Sequence, residues 1–163
     1  MTIRRFVAAA LVALPAALAV AQDAGKPAPD FQLPSGDKTL KLSELRGRVV
    51  YLDFWASWCG PCRQSFPWMN GLQEKYAAQG LTIVGVNVDQ KRADADKFLA
   101  DTPAKFTLAY DASGATPKAY GVKVMPTSLL IGPDGTVQAV HKGFREADRD
   151  ELEAMIKSAL AKR

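Results

Sequence analysis

The period of the hydrophobic positions changes repeatedly along this chain, and each change predicts an element. Phe31 and Leu33 alternate with polar neighbours, Pro34-Ser35-Gly36-Asp37 reads as a turn, and Thr39 to Leu42 alternates again, so a short N-terminal β-hairpin is expected. Ser43 to Gly47 predicts one helical turn stopped by glycine. Val49 to Phe54 is a continuous apolar strand interrupted by one acid, Asp53, as in a strand covered on both faces. From Cys62 the spacing becomes helical, with Phe66, Met69, Leu72 and Tyr76 recurring every three or four residues up to Gln79-Gly80. Pro67 lies inside this helix and predicts a kink. Leu81 to Val88 is a second buried strand, Ala93 to Ala100 a helix, Phe106 to Tyr110 a third strand and Pro117 to Tyr120 a short helix. Thr127 to Ile131 and Val137 to Lys142 flank Gly132-Pro133-Asp134-Gly135, a hairpin turn. Ala147 to Leu160 closes the chain as an amphipathic helix with Leu152, Met155, Ile156 and Leu160 on one face. Strands alternating with helices and ending in a β-hairpin predict an α/β fold with a mixed sheet.

The first residues break this pattern. Arg4 and Arg5 precede an apolar run from Phe6 to Val20, and Ala19-Val20-Ala21 has the small-x-small form of a cleavage site, so residues 1–21 read as an export signal. The run is short for a membrane span and lacks a basic stop, which leaves an uncleaved anchor as the alternative. Phe6 follows Arg5 directly, which favours the general secretory route over twin-arginine export. No cysteine follows the cleavage site, which excludes a lipoprotein anchor there. Residues 22–163 then form one domain. The net charge of +4 owes two cations to the leader, and the remaining charges are mixed along the chain. That pattern gives no basic stripe and no nucleic-acid partner.

The candidate chemistry lies in Trp58-Cys59-Gly60-Pro61-Cys62, which holds the only two cysteines of the protein. The pair follows a strand and precedes a helix, so Cys59 falls near a helix N-terminus, where free N–H groups and the dipole stabilise a thiolate. Only the thiolate attacks a disulfide sulfur. Two plainer readings compete. A structural staple across so short a loop contributes only about 2 kcal/mol in the chain-entropy estimate. A zinc site wants four ligands, and the chain has no second cysteine pair and one histidine, His141. An exported chain meets oxidising conditions, and one that carries only a closely spaced pair fits a handler of other proteins' disulfides.

Asp53-Phe54-Trp55-Ala56-Ser57-Trp58-Cys59-Gly60-Pro61-Cys62, Pro67 and Val124-Met125-Pro126-Thr127 together resemble the thioredoxin superfamily. Pro27-Ala28-Pro29-Asp30-Phe31, Leu42-Ser43-Glu44-Leu45-Arg46-Gly47, Val84-Gly85-Val86-Asn87-Val88-Asp89 and the extra strand–helix segment before Pro126 narrow the resemblance to exported TlpA/ResA-like thiol–disulfide oxidoreductases. The resemblance implies a thioredoxin fold with a central mixed sheet flanked by helices, an N-terminal hairpin and a strand–helix insertion. It implies that Cys59 is the exposed nucleophile and Cys62 the more buried resolving thiol. Gly60-Pro61 would set the turn and tilt the pair towards reduction. Pro126 would be a cis-proline beside the cysteines that leaves the Met125 backbone to pair with an extended substrate. Trp58 would add a flat apolar surface, and Gly143 either lines the same groove or is an ordinary turn glycine. The reaction implied needs no cofactor and no metal. Its partners are protein clients with disulfides or thiols and a membrane thiol-electron donor, and the protein is expected as a periplasmic monomer, at the membrane only if the leader is kept.

Two positions depart from the family. Asp53 resembles the buried acid that helps deprotonate the resolving cysteine, so a raised pKa is expected. The lysine that partners this acid in thioredoxins is replaced here by Gly85. The alternative is that Asp53 only hydrogen-bonds internally. Ser65 stands where cytochrome-maturation members carry a glutamate, which favours a broader or different client. Two other functions compete with this reading. A peroxidase lacks its threonine-proline context, and a copper-binding or copper-site-maturation module would use the cysteine pair with Met125 or His141.

Overall fold

Every position of the strand Val49–Trp55 is buried, so it has a covering layer on each face and everything else is arranged around it. The computed structural model describes residues 24–162; the export signal expected at residues 1–21 lies outside them. In chain order the strands are β1 (Gln32–Ser35), β2 (Lys38–Lys41), β3 (Val49–Trp55), β4 (Leu81–Asn87), β5 (Thr107–Tyr110), β6 (Thr127–Ile131) and β7 (Val137–Lys142). The helices are α1 (Gly60–Tyr76), α2 (Arg92–Asp101), α3 (Ala115–Ala119) and α4 (Arg149–Ala161). β1 and β2 form a separate antiparallel hairpin, and the main sheet has the order β5-β4-β3-β6-β7. β3 runs parallel to β4 and β4 to β5, whereas β6 is antiparallel to both β3 and β7. This is the mixed sheet expected from the hydrophobic pattern, in the thioredoxin-like arrangement that the resemblance implies. No helix among the described residues is long and apolar enough to cross a membrane.

Alternation along the strands divides the core in two. Val49, Tyr51 and Trp55 face one cluster with Phe66, Met69 and Leu72 of α1, Phe98 of α2 and Ile156 of α4. Val50, Leu52 and Phe54 face the other, with Phe31 and Leu33 of the hairpin and Tyr120 beyond α3. Under the N-terminal half of α1 the first cluster is aromatic. Phe66 packs on Trp55, Phe98 and Phe106 with ring centroids 4.9, 5.0 and 5.1 Å apart.

Several boundaries shift for packing reasons. β5 starts at Thr107 because the Phe106 ring turns into the aromatic cluster. α4 starts at Arg149, after a 3-10 turn over Glu146–Asp148. Its buried stripe is Leu152, Ile156 and Ala159, with Leu160 only half covered. α1 continues through Pro67, which stands on its exposed side.

The close approach at Gly85 explains why no lysine stands there. A Cβ at this position would lie 2.9 Å from Phe106 Cε2 and 3.2 Å from both Leu108 Cδ2 and Trp55 Nε1. The aromatic cluster fills the space that a side chain opposite Asp53 would need. Gly85→Ala is therefore expected to destabilise the fold by about 1–3 kcal/mol through overpacking. Urea unfolding would register this as a lower midpoint at unchanged slope, and an unchanged midpoint would show that the ring can yield.

Candidate active site

β3 delivers the chain to the site and α1 begins there. After Trp55 the loop Ala56-Ser57-Trp58 turns back, with the Cys59 N–H donating to Ala56 O at 3.1 Å. Cys59 is the N-cap of α1, and its sulfur accepts from the Cys62 N–H at 3.2 Å. Pro61 falls in the first turn, where a missing N–H costs nothing. Cys59 and Cys62 are joined by a disulfide with Cα atoms 5.3 Å apart. Once that bond is reduced, the same N–H and the positive helix end favour negative charge on Cys59. The expected exposure of Cys59 needs correction. In the closed disulfide it is 4% exposed and Cys62 is 0% exposed, so the order of access holds but the nucleophile is nearly covered. The N-cap position tucks its sulfur against the helix start, and the exposed rim consists of Trp58, Gly60 and Pro61.

The loop is pinned by residues to which the resemblance assigned no role of their own. Asp89 accepts from Ser57 twice, at Oδ2 from the backbone N–H (2.9 Å) and at Oδ1 from the hydroxyl (3.0 Å). Asn87 Nδ2 donates to Asp89 Oδ2 at 2.7 Å, and the Asp89 N–H donates back to Asn87 Oδ1 at 3.1 Å. β3 and β4 are parallel neighbours, so the polar residues ending β4 stand beside the loop that leaves β3. The readable signal was an Asn-x-Asp pair closing an apolar strand.

On the loop leading into β6 the Met125–Pro126 peptide is cis, as the resemblance implied. Pro126 is buried and Met125 half-buried. Thr127 Oγ1 donates to Val124 O at 2.8 Å, and the Gly143 N–H donates to Pro126 O at 2.8 Å. Gly143 has φ +82°, so it is both a turn glycine and a neighbour of the proline loop. Trp58 is 70% exposed and Val124 47%, which rules out a core role for the tryptophan.

Asp53 lies in the middle of β3 with Gly85 opposite it on β4 and Ser128 opposite it on β6. Its Oδ1 accepts from the Ser128 hydroxyl at 2.6 Å, and its Oδ2 has no partner among the described residues. Burial pushes the carboxyl up to about 7, against the opposing pull of the Ser128 hydrogen bond. This matches the raised value expected from the sequence. Ser65 is buried and its hydroxyl donates to Cys62 O at 3.0 Å, so it buttresses the first turn of α1. His141 is placed on β7, with Nε2 3.3 Å from Asp148 Oδ2. Among the described residues no group of three or more His, Cys, Asp or Glu side chains is placed to hold a metal ion.

Comparison with known proteins bears on this geometry. The family model described as Redoxin matches residues 23–156. Thiol-disulfide oxidoreductase ResA of Bacillus thuringiensis subsp. konkukian is 37% identical over 134 residues, covering 82% of this chain and 76% of its own. ResA of Bacillus subtilis is 36% identical over 120 residues, covering 73% and 67%. A crystal structure from Chlorobium tepidum, assigned as a thiol:disulfide interchange protein DsbE, is 58% identical with a TM-score of 0.84, covering 86% of this chain and 99% of that one.

The Asp53 carboxyl links stability to pH. Its folded-state value lies above that of the unfolded chain, so the unfolded chain gives up this proton first. The stability it contributes is whole below about pH 4 and is lost as pH rises to about 7. Asp53→Asn should remove that loss and stabilise the disulfide form at pH 8 by about 2–4 kcal/mol, readable in urea melts at pH 5 and 8. An equal effect at both pH values would contradict a raised carboxyl. Asp89→Ala, which strips the Ser57 and Asn87 contacts, should cost about 2–3 kcal/mol by the same measurement.

Proposed function

The chain belongs to the Redoxin family and is a thiol–disulfide oxidoreductase working by dithiol–disulfide exchange, and from that premise we propose the role of each residue, the client and the location. The observation that carries the reading is the Cys62 N–H held on the Cys59 sulfur at the start of α1. Cys59, as thiolate, attacks one sulfur of a client disulfide. A Cys59–client bond forms, and the other client sulfur leaves as a thiolate that water protonates. The Cys62 thiol then gives its proton to the Asp53 carboxylate and attacks the Cys59 sulfur. The Cys59–client bond breaks, the second client thiol is released, and the enzyme is left with the disulfide seen here. The client is reduced by two electrons and the enzyme is oxidised by two. An electron donor in the membrane returns the pair to thiols.

The clients are proteins with disulfides reachable by an extended segment. Such a segment lies along Met125–Pro126 and pairs with its backbone, while the exposed Trp58 and Val124 supply apolar contact. This arrangement reads main chain more than sequence. Ser65 supports a broad client range, because its hydroxyl is turned inward to the Cys62 carbonyl and offers no charge to a dedicated partner such as an apocytochrome. Residues 1–21 direct export, and the monomeric domain of residues 22–163 acts in the periplasm. The exposed lipoprotein thioredoxin of Streptococcus pneumoniae, whose structure this chain resembles, is in keeping with work outside the cytoplasm.

Reduction of insulin disulfides should proceed with the wild-type protein and fall to background in Cys59→Ser. Cys62→Ser should retain the first step and stay bound to its clients through Cys59. Recovery of small-molecule adducts alone from periplasmic extract would count against protein clients.

A further inference from the structure

The Asp53 carboxyl is held on one side only. Ser128 Oγ donates to Asp53 Oδ1 at 2.6 Å, and both residues are buried. Oδ2 is shielded from solvent and has no hydrogen-bond partner among the described residues. The pairing is set by the sheet, since Asp53 and Ser128 are register partners across β3 and β6 and project from the same face.

The groups facing this carboxyl make Ser128 its one direct modulator. β4 presents Gly85 and brings no charge. On β3 itself stands Tyr51, whose phenol is pushed up by burial and by the Asp53 charge and held down by Ser128. From α1 the titratable group on this face is Cys62, amid Phe66 and Met69. Next in the row across the sheet is His141, the register partner of Ser128, with Nε2 towards Asp148, which Arg145 also binds at 2.7 Å. α4 closes the space between with Leu152, Met155 and Ile156.

We propose that Ser128 is the positioning residue of the redox site: its hydroxyl holds Asp53 by Oδ1 and leaves Oδ2 to take the proton that Cys62 releases. The inference rests on Asp53 accepting that proton. The step balances without another reagent. The Cys62 S–H bond breaks as an O–H bond forms at Asp53, the Cys62 sulfur bonds to the Cys59 sulfur, and the client thiolate departs and is protonated by water. Asp53 releases its proton to solvent before the next cycle. A donor on Oδ1 stabilises the carboxylate more than the neutral acid, so Ser128 keeps a carboxyl without a cation able to ionise near neutrality. It does from β6 part of what a lysine opposite Asp53 would do from β4.

The test is the second step alone. Reduced protein mixed with excess Ellman's reagent forms the Cys59 adduct, and attack by Cys62 releases a second thionitrobenzoate, followed by stopped flow from pH 5.5 to 9. The wild-type rate should rise through a midpoint near 7. In Ser128→Ala the midpoint should move up by about one pH unit, the size expected for a lost hydrogen bond to a charged group. Ser128→Thr, which retains the hydroxyl, should restore it. In an Asp53→Asn background Ser128→Ala should change nothing further. If Ser128→Ala does not fold, Ser128→Val, which matches Ser128→Thr in shape but lacks the hydroxyl, takes its place and should move the midpoint in the same direction. Asp53→Asn leaving the profile intact would overturn the proton-acceptor reading itself. An Asp53-dependent profile whose midpoint stays put in Ser128→Ala would overturn the role of Ser128 alone.

Discussion

The N–H of Cys62 resting on the sulfur of Cys59 is the contact that the site is built to provide. It exists because a buried strand ends at Trp55 and a helix starts five residues later, which leaves one side chain at the N-cap. An oxygen from serine or aspartate usually fills that place. Here a sulfur does, and the free N–H groups of the first turn become a stabiliser of charge on a reactive atom. The Asn87–Asp89–Ser57 network serves this contact by fixing the loop that carries Trp58 and Cys59 to the end of β4.

Beneath the cysteines the fold combines two demands that oppose each other. The aromatic cluster of Trp55, Phe66, Phe98 and Phe106 supplies dispersion and area burial, and it excludes water from the strand carrying Asp53. That exclusion disfavours the ionised acid. The same cluster occupies the space at Gly85, so no cation can stand opposite to offset the cost. The carboxyl that results has a raised proton affinity and a single hydrogen bond, which suits proton transfer and weakens the fold at high pH. On the proposed mechanism, stability and activity thus depend on the same atoms in opposite senses.

The order of strands and helices was legible because each element carries a period that its environment requires. β3 is apolar at nearly every position, and α1 repeats at three- and four-residue spacing. The edges were less legible, since Phe106 and Leu160 are hydrophobic enough to extend an element but are placed by packing rather than by hydrogen bonding. The exposure of Cys59 was misjudged for a related reason: a sequence says that a residue is at a helix start but not how closely the preceding loop folds over it. Ser128 carried almost no signal, because a serine in an apolar strand looks the same whether it caps, packs or holds a carboxylate.

The sequence by itself determined the α/β order, the spacing that makes Cys59 an N-cap with Cys62 one turn on, and the presence of one acid in a strand that could not reach water. These follow from local periodicity and from the chemistry of single residues. The tertiary structure decided which residues meet that acid and that loop. Ser128 reaches Asp53 because β6 runs antiparallel to β3 in one register, and Asp89 reaches Ser57 because β4 runs parallel to β3 and ends beside it. Register between strands distant in sequence is fixed only when both faces of the sheet are packed, and no local pattern encodes it.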